Sequence, residues 1–202
     1  MKSALFHSRR RGISLIEAMV VLAVLGIVLA VAAPSFSDLL YRKRVEGIAA
    51  ELVTDLQLLR SHALMRPSAN VEGEGGVRRS LSAVIRIGDR FSSSCYMMYW
   101  DRPRADCSCN RRPGSACRNI PDAEIKTVQL PNTNNLTITT PGTPGGQGKF
   151  QAGTPSFTPS SFQILISGNR TGSLRVSVDG LGRVSTCTPD GGFANYATCV
   201  RE

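Results

Sequence analysis

A basic leader ending in glycine runs directly into a long apolar stretch. Arg9-Arg10-Arg11-Gly12 is followed by residues 13–33, a nearly unbroken apolar run in which Glu17 is the one ionisable residue. As a helix, these 21 residues measure roughly 32 Å, enough to cross a bilayer core of about 30 Å. A carboxylate inside such a span costs on the order of 2.5–3.5 kcal/mol, so its presence needs a reason. That reason decides what the chain can be.

A secretory signal peptide would have a shorter apolar core and a small-residue cleavage site. Ala30-Val31-Ala32-Ala33 offers such a site, but Glu17 is then out of place. A plain membrane anchor also leaves Glu17 unexplained. The segment resembles a third class, the type IV prepilin signal: Gly12 precedes an apolar residue, Glu17 is the fifth residue after it, and Pro34 follows the span. The resemblance implies that a prepilin peptidase cuts after Gly12, that Ile13 becomes an N-methylated amino terminus, and that the helix is retained. Cleavage places an α-amino cation in an apolar setting, where a charge needs a partner. In that class Glu17 of one subunit would meet the Ile13 amine of a neighbour and set register during assembly. The alternative is a Glu17 that snorkels to the headgroups from the membrane edge. The arginines on the cytoplasmic side of the span satisfy the positive-inside rule and put the remainder in the periplasm, as a single-pass inner-membrane protein.

Beyond residue 34 the pattern remains helical. Val45, Ala49, Leu52, Leu56, Leu59 and Ala63 recur at spacings of four and three, one apolar stripe on a helix ending at Arg66-Pro67. Arg42, Lys43, Glu46, Asp55 and Arg60 fall mostly on other faces. After a Gly-rich link at 72–76, residues 81–87, 96–100, 124–130, 136–140, 162–167, 173–178 and 183–186 read as short strands, rich in β-branched and aromatic residues and separated by Gly, Pro and Asn. Two stretches read as irregular: 101–121, rich in Arg, Cys and Pro, and 141–159, rich in Gly, Pro and Thr. The expected fold is α+β and pilin-like, with a long N-terminal transmembrane-plus-amphipathic helix packed on an antiparallel sheet. Its segments are a leader (1–12), a transmembrane and assembly helix (13–33), an amphipathic helix (34–66) and a β-rich periplasmic domain (67–202).

The residues 33–40, Arg44-Val45, 51–57 and 60–63 look like the FimT/GspH family of minor pilins and pseudopilins. Residues 178–184, Val-Asp-Gly-Leu-Gly-Arg-Val, resemble that family's C-terminal end. The resemblance implies a subunit of a type IV pilus or of the type II secretion pseudopilus. Its partners would be prepilin peptidase, other minor pilins or pseudopilins and the inner-membrane assembly platform. Some FimT-like members bind DNA through a Gly-Arg-x-Arg motif; here it reads Gly182-Arg183-Val184-Ser185, with the second arginine replaced. Arg170 and Arg175 lie upstream and would compensate if they share a face with Arg183. All three are candidate DNA-binding residues, weighed against ordinary solvated charges at strand ends.

The formal charge of +9 falls to +5 once Lys2, Arg9, Arg10 and Arg11 leave with the leader, which permits polyanion binding without requiring it. Cys95, Cys107, Cys109, Cys117, Cys187 and Cys199 all lie beyond the helix, an even number suited to disulfides in an oxidising compartment. Cys187 and Cys199 would close one loop at the C-terminus. The other four allow three pairings, of which Cys107–Cys109 is the tightest ring. Zinc is disfavoured because the only histidines are His7 and His62. The same scarcity leaves nucleophile–base pairs without members, and Phe150 stands where a phosphate-binding loop needs Ser or Thr. The chain is expected to be neither an enzyme nor a binder of metal or cofactor.

Overall fold

Ser14 opens the long helix by accepting the backbone N–H of Glu17 on its Oγ at 3.4 Å, which satisfies one of the free donors of the first turn. The computed structural model describes residues 14–67, 70–72, 78–89, 92–130, 136–168 and 172–200. Helix α1 spans Leu15–Met65, and its end falls just ahead of the Arg66-Pro67 stop. The chain divides into two compact units, with the boundary between Leu39 and Leu40. In the first unit, every large apolar side chain from Leu15 to Leu29 is more than half exposed. Among the described residues no helix is long and apolar enough to cross a membrane. The described helical side chains of the apolar run, residues 15–30, amount to about 24 Å of helix. Ile13 and the side chains of residues 31–33 lie outside the description.

In the second unit the stripe Val45, Ala49, Leu52, Leu56, Leu59 and Ala63 is at most 1% exposed and joins a single core with both large sheets. The burial follows from the spacing: positions three and four apart share one helix face. One polar expectation fails. Asp55 is not on a solvated face but 3% exposed, on the edge of the stripe beside Leu52, Leu56 and Leu59. It is accommodated there because the sheet brings a hydroxyl and an ammonium to it.

The strands make two large antiparallel sheets, not one. Strands β1 (Asn70–Glu72) and β2 (Arg78–Ser80) form a small separate ribbon. Strands β3 (Ser82–Asp89), β4 (Ser92–Trp100), β5 (Glu124–Gln129), β7 (Gln147–Gln151) and β8 (Phe157–Thr158) form a five-stranded sheet in the order β5-β4-β3-β7-β8. Strands β6 (Thr137–Thr139), β9 (Ser161–Gly168), β10 (Gly172–Asp179) and β11 (Val184–Cys187) form the other, in the order β11-β10-β9-β6. Alternation sends Phe162, Ile164, Ile166, Leu174, Val176 and Val178 into the shared core. The seven strands read from sequence are all present.

The stretch 141–159 is a correction, because it contains β7 and β8. Phe150 pairs with Ala83 in register and is fully buried, and β8 closes the edge against it. Glycine and proline mask the strand pattern, yet Gly148 is what permits it. A Cβ there would lie 2.3 Å from the Phe157 ring, so only glycine lets the two strands close around that side chain. The stretch 101–121, by contrast, is irregular as expected.

Candidate functional site

Three surfaces carry the residues singled out by sequence. The first is the start of α1. Glu17 is exposed in the opening turn, where a carboxylate also favours the positive end of the helix dipole. Around it the apolar side chains from Leu15 to Leu29 are exposed among the described residues. Gly12 and Ile13 lie outside the described residues.

The second surface is the β10–β11 hairpin. Asp179 organises the turn: its Oδ1 accepts the N–H groups of Leu181 and Arg183 at 3.0 and 2.8 Å, and its Oδ2 accepts Arg183 Nε at 2.8 Å. Hydrogen bonds from the Arg183 backbone and side chain hold the Asp179 carboxyl below the usual carboxylate range. Gly182 has φ +70°, and a Cβ on it would lie 2.5 Å from the Phe150 ring. The Gly182-Arg183 pair therefore has a structural reason to exist, and the Arg183 charge already has a carboxylate partner. Arg175 is half-buried in mid-strand, opposite Leu165 and Cys187, with an Nε that finds no partner among the described residues. The register puts Arg175 and Arg183 on the same face of the sheet, and Arg170 lies outside the described residues.

The third surface is the loop 101–121. Its disulfides are Cys95–Cys109 and Cys107–Cys117; the C-terminal one is Cys187–Cys199. These four half-cystines, Cys95 on β4 and the other three in the loop, are buried with Val84, Met97, Tyr99, Ala116 and Ala123 on the outer face of the five-stranded sheet. Glu124 accepts the N–H groups of Gly114 and Ala116 at 2.8 and 2.7 Å, and Gln129 Nε2 donates to the carbonyls of Cys109 and Arg111 at 2.9 Å each. Arg86 donates to the Cys107 carbonyl at 3.0 Å. The loop is thus the cover of a second small core, tied down at several points.

Sequence reasoning missed a fourth cluster. Asp55 accepts the Tyr96 hydroxyl at 2.7 Å, and Lys126 Nζ donates to both Asp55 oxygens and to Glu51 at 2.8 Å. Burial first, then the bond to Asp55, raises the Tyr96 phenol far above its ordinary range. Burial pulls Lys126 down, but its bonds to Asp55 and Glu51 outweigh that and raise it. The signal available was Lys126 among the apolar residues Ile125 and Val128 of β5, with Asp55 beside the stripe. Among the described residues no group of three or more His, Cys, Asp or Glu is placed to hold a metal ion.

Residues 7–33 match the family model of the prokaryotic N-terminal methylation motif. The chain carries a type IV pilin-like prepilin signal. No curated protein and no solved structure matches the chain. The signal spans Gly12, Ile13 and Glu17, and it implies processing by prepilin peptidase and assembly with other pilins. It indicates a structural subunit rather than an enzyme, and the α+β arrangement of a helix packed on antiparallel sheet is consistent with a pilin-like fold.

Proposed function

We propose that this chain is a minor pilin or pseudopilin of the FimT/GspH kind, a structural subunit of a type IV pilus or type II secretion pseudopilus. Prepilin peptidase cleaves after Gly12, Ile13 is methylated, and the protein sits in the inner membrane with its C-terminal domain in the periplasm. The observation that carries this reading is the prepilin signal joined to a helix whose apolar side chains from Leu15 to Leu29 are exposed among the described residues, with Glu17 as the one carboxylate of the apolar run 13–33. Three disulfides support an oxidising compartment for the domain beyond the helix. Glu17 then pairs with the Ile13 amine of a neighbouring subunit, which offsets the cost of placing both charges in an apolar setting.

The test is the intact mass of the membrane-extracted protein. A chain beginning at methylated Ile13 is expected. A chain beginning near Pro34 would mean a removed signal peptide and would overturn the assembly reading. DNA binding through Arg170, Arg175 and Arg183 has weaker support, because Asp179 already meets the Arg183 charge and Arg175 is half-buried in the sheet.

A further inference from the structure

The hairpin is not where the domain's available positive charge lies. The loop 101–121 holds five arginines, two aspartates and no lysine. Both aspartates are committed: Asp101 to Lys149 at 2.8 Å and Asp106 to Arg111 at 2.7 Å. Among the described residues Arg102, Arg112 and Arg118 enter no ion pair, with Arg112 and Arg118 exposed and Arg102 half-buried at the start of the loop; Asp122, exposed just past its end, enters no ion pair either. Burial of Cys107, Cys109, Ala116 and Cys117 against the sheet leaves Arg112 and Arg118 on the solvent side. They are six residues apart, so they lie within roughly 20 Å of each other, about six base-pair steps at ~3.4 Å.

The surroundings select the kind of partner. No large apolar side chain of this loop is exposed, so the surface lacks the buried anchor that a stable protein–protein interface requires. It offers no exposed aromatic on which single-stranded bases could stack. What it offers is a set of planar guanidinium forks, each suited to two phosphate oxygens. Two disulfides and the bonds from Glu124 and Gln129 fix the loop, so little ordering entropy remains to be lost on contact.

We propose that this stapled loop docks the phosphate backbone of duplex nucleic acid, independently of sequence, through Arg102, Arg112 and Arg118. The inference stands apart from the filament reading, since the loop would bind whether or not the chain assembles. The experiment is fluorescence anisotropy of a labelled mixed-sequence DNA duplex with the full detergent-solubilised chain, over a salt titration. Binding is expected to weaken log-linearly with salt, and R102A/R112A/R118A is expected to flatten the slope by about 0.9 for each arginine removed. The single substitutions Arg112→Gln and Arg118→Gln should each flatten it by about 0.9, which keeps the test sound if the triple variant folds poorly. Arg183→Ala should leave the slope unchanged. The proposal is overturned by absent duplex binding or by slopes that the loop variants do not change. It is overturned equally by an Arg183→Ala effect as large as theirs, by tighter binding of a matching single strand, or by displacement of DNA by phosphatidylglycerol vesicles.

Discussion

Replacing Lys126 with methionine tests whether the buried Asp55 cluster holds α1 on the sheet. The substitution keeps the stem of the side chain and removes the ammonium that contacts both Asp55 oxygens and Glu51 at 2.8 Å. Asp55, 3% exposed, would keep only the Tyr96 hydroxyl. Removing one member of a fully buried ion pair costs about 3–5 kcal/mol. The Lys126 side chain is 35% exposed, so solvent screens part of the interaction and the expected cost is about 2–3 kcal/mol. Asp55→Asn also loses the charged pair, but its amide oxygen can still accept from Tyr96, which brings the cost to about 2 kcal/mol. Once both charges are gone no ion is stranded, so the double variant should be more stable than Lys126→Met alone. Urea unfolding followed by the fluorescence of Trp100, the chain's one tryptophan and 2% exposed, measures all three. Strictly additive losses would refute the reasoning, because they would mean that the two charges do not depend on each other.

Glu17→Val should insert and be cleaved normally yet fail to enter filaments; wild-type incorporation in a sheared-filament assay would remove Glu17 from the registering role. Gly148→Ala should destabilise by about 1–3 kcal/mol, since its new Cβ must displace the Phe157 ring, and the same urea titration reads the loss. The pH limits follow from the shifted groups. Tyr96 and Lys126 are raised in the fold, so their contribution is complete below about pH 10 and disappears as alkali titrates them. Burial pushes Asp190 up, but bonds from Gly192, Ser173 and Thr188 prevail and depress it. Its contribution, with that of Asp179, is therefore present above about pH 4 and lost as acid protonates them. A chain showing no fall in unfolding midpoint on either side of that window would contradict these assignments.

How much of this was legible depended on whether a residue's neighbours are close in sequence. The helix stripe repeats every three or four positions, so its burial follows from local spacing alone. Strands β9 and β10 alternate cleanly and were visible for the same reason. Strand β7 was not, because the fact that explains Gly148 is the Phe157 ring nine positions away, with four prolines and four further glycines in the stretch 141–159. Asp55 was misplaced because its partners, Tyr96 and Lys126, are 41 and 71 residues distant, and helical periodicity carries no information about them. Pairing of the loop cysteines needed the sheet too, since Cys95 belongs to β4 and only the fold sets it beside Cys109.

The same distinction separates the two arginine sets. A Gly-Arg dipeptide after a strand is easily seen in sequence, but Asp179, four residues back, both shapes the turn and takes the charge. The loop arginines belong to no recognisable motif, and their availability becomes visible only after Asp101 and Asp106 have been assigned their partners, Lys149 and Arg111. Counterions released from a duplex scale with the cations that actually reach phosphate, not with the arginines present in the sequence. A guanidinium already bonded to its own turn must exchange that carboxylate for phosphate, whereas an unpaired one on a fixed loop exchanges only water. The loop should therefore dominate any salt-dependent binding, even though the hairpin carries the more familiar sequence.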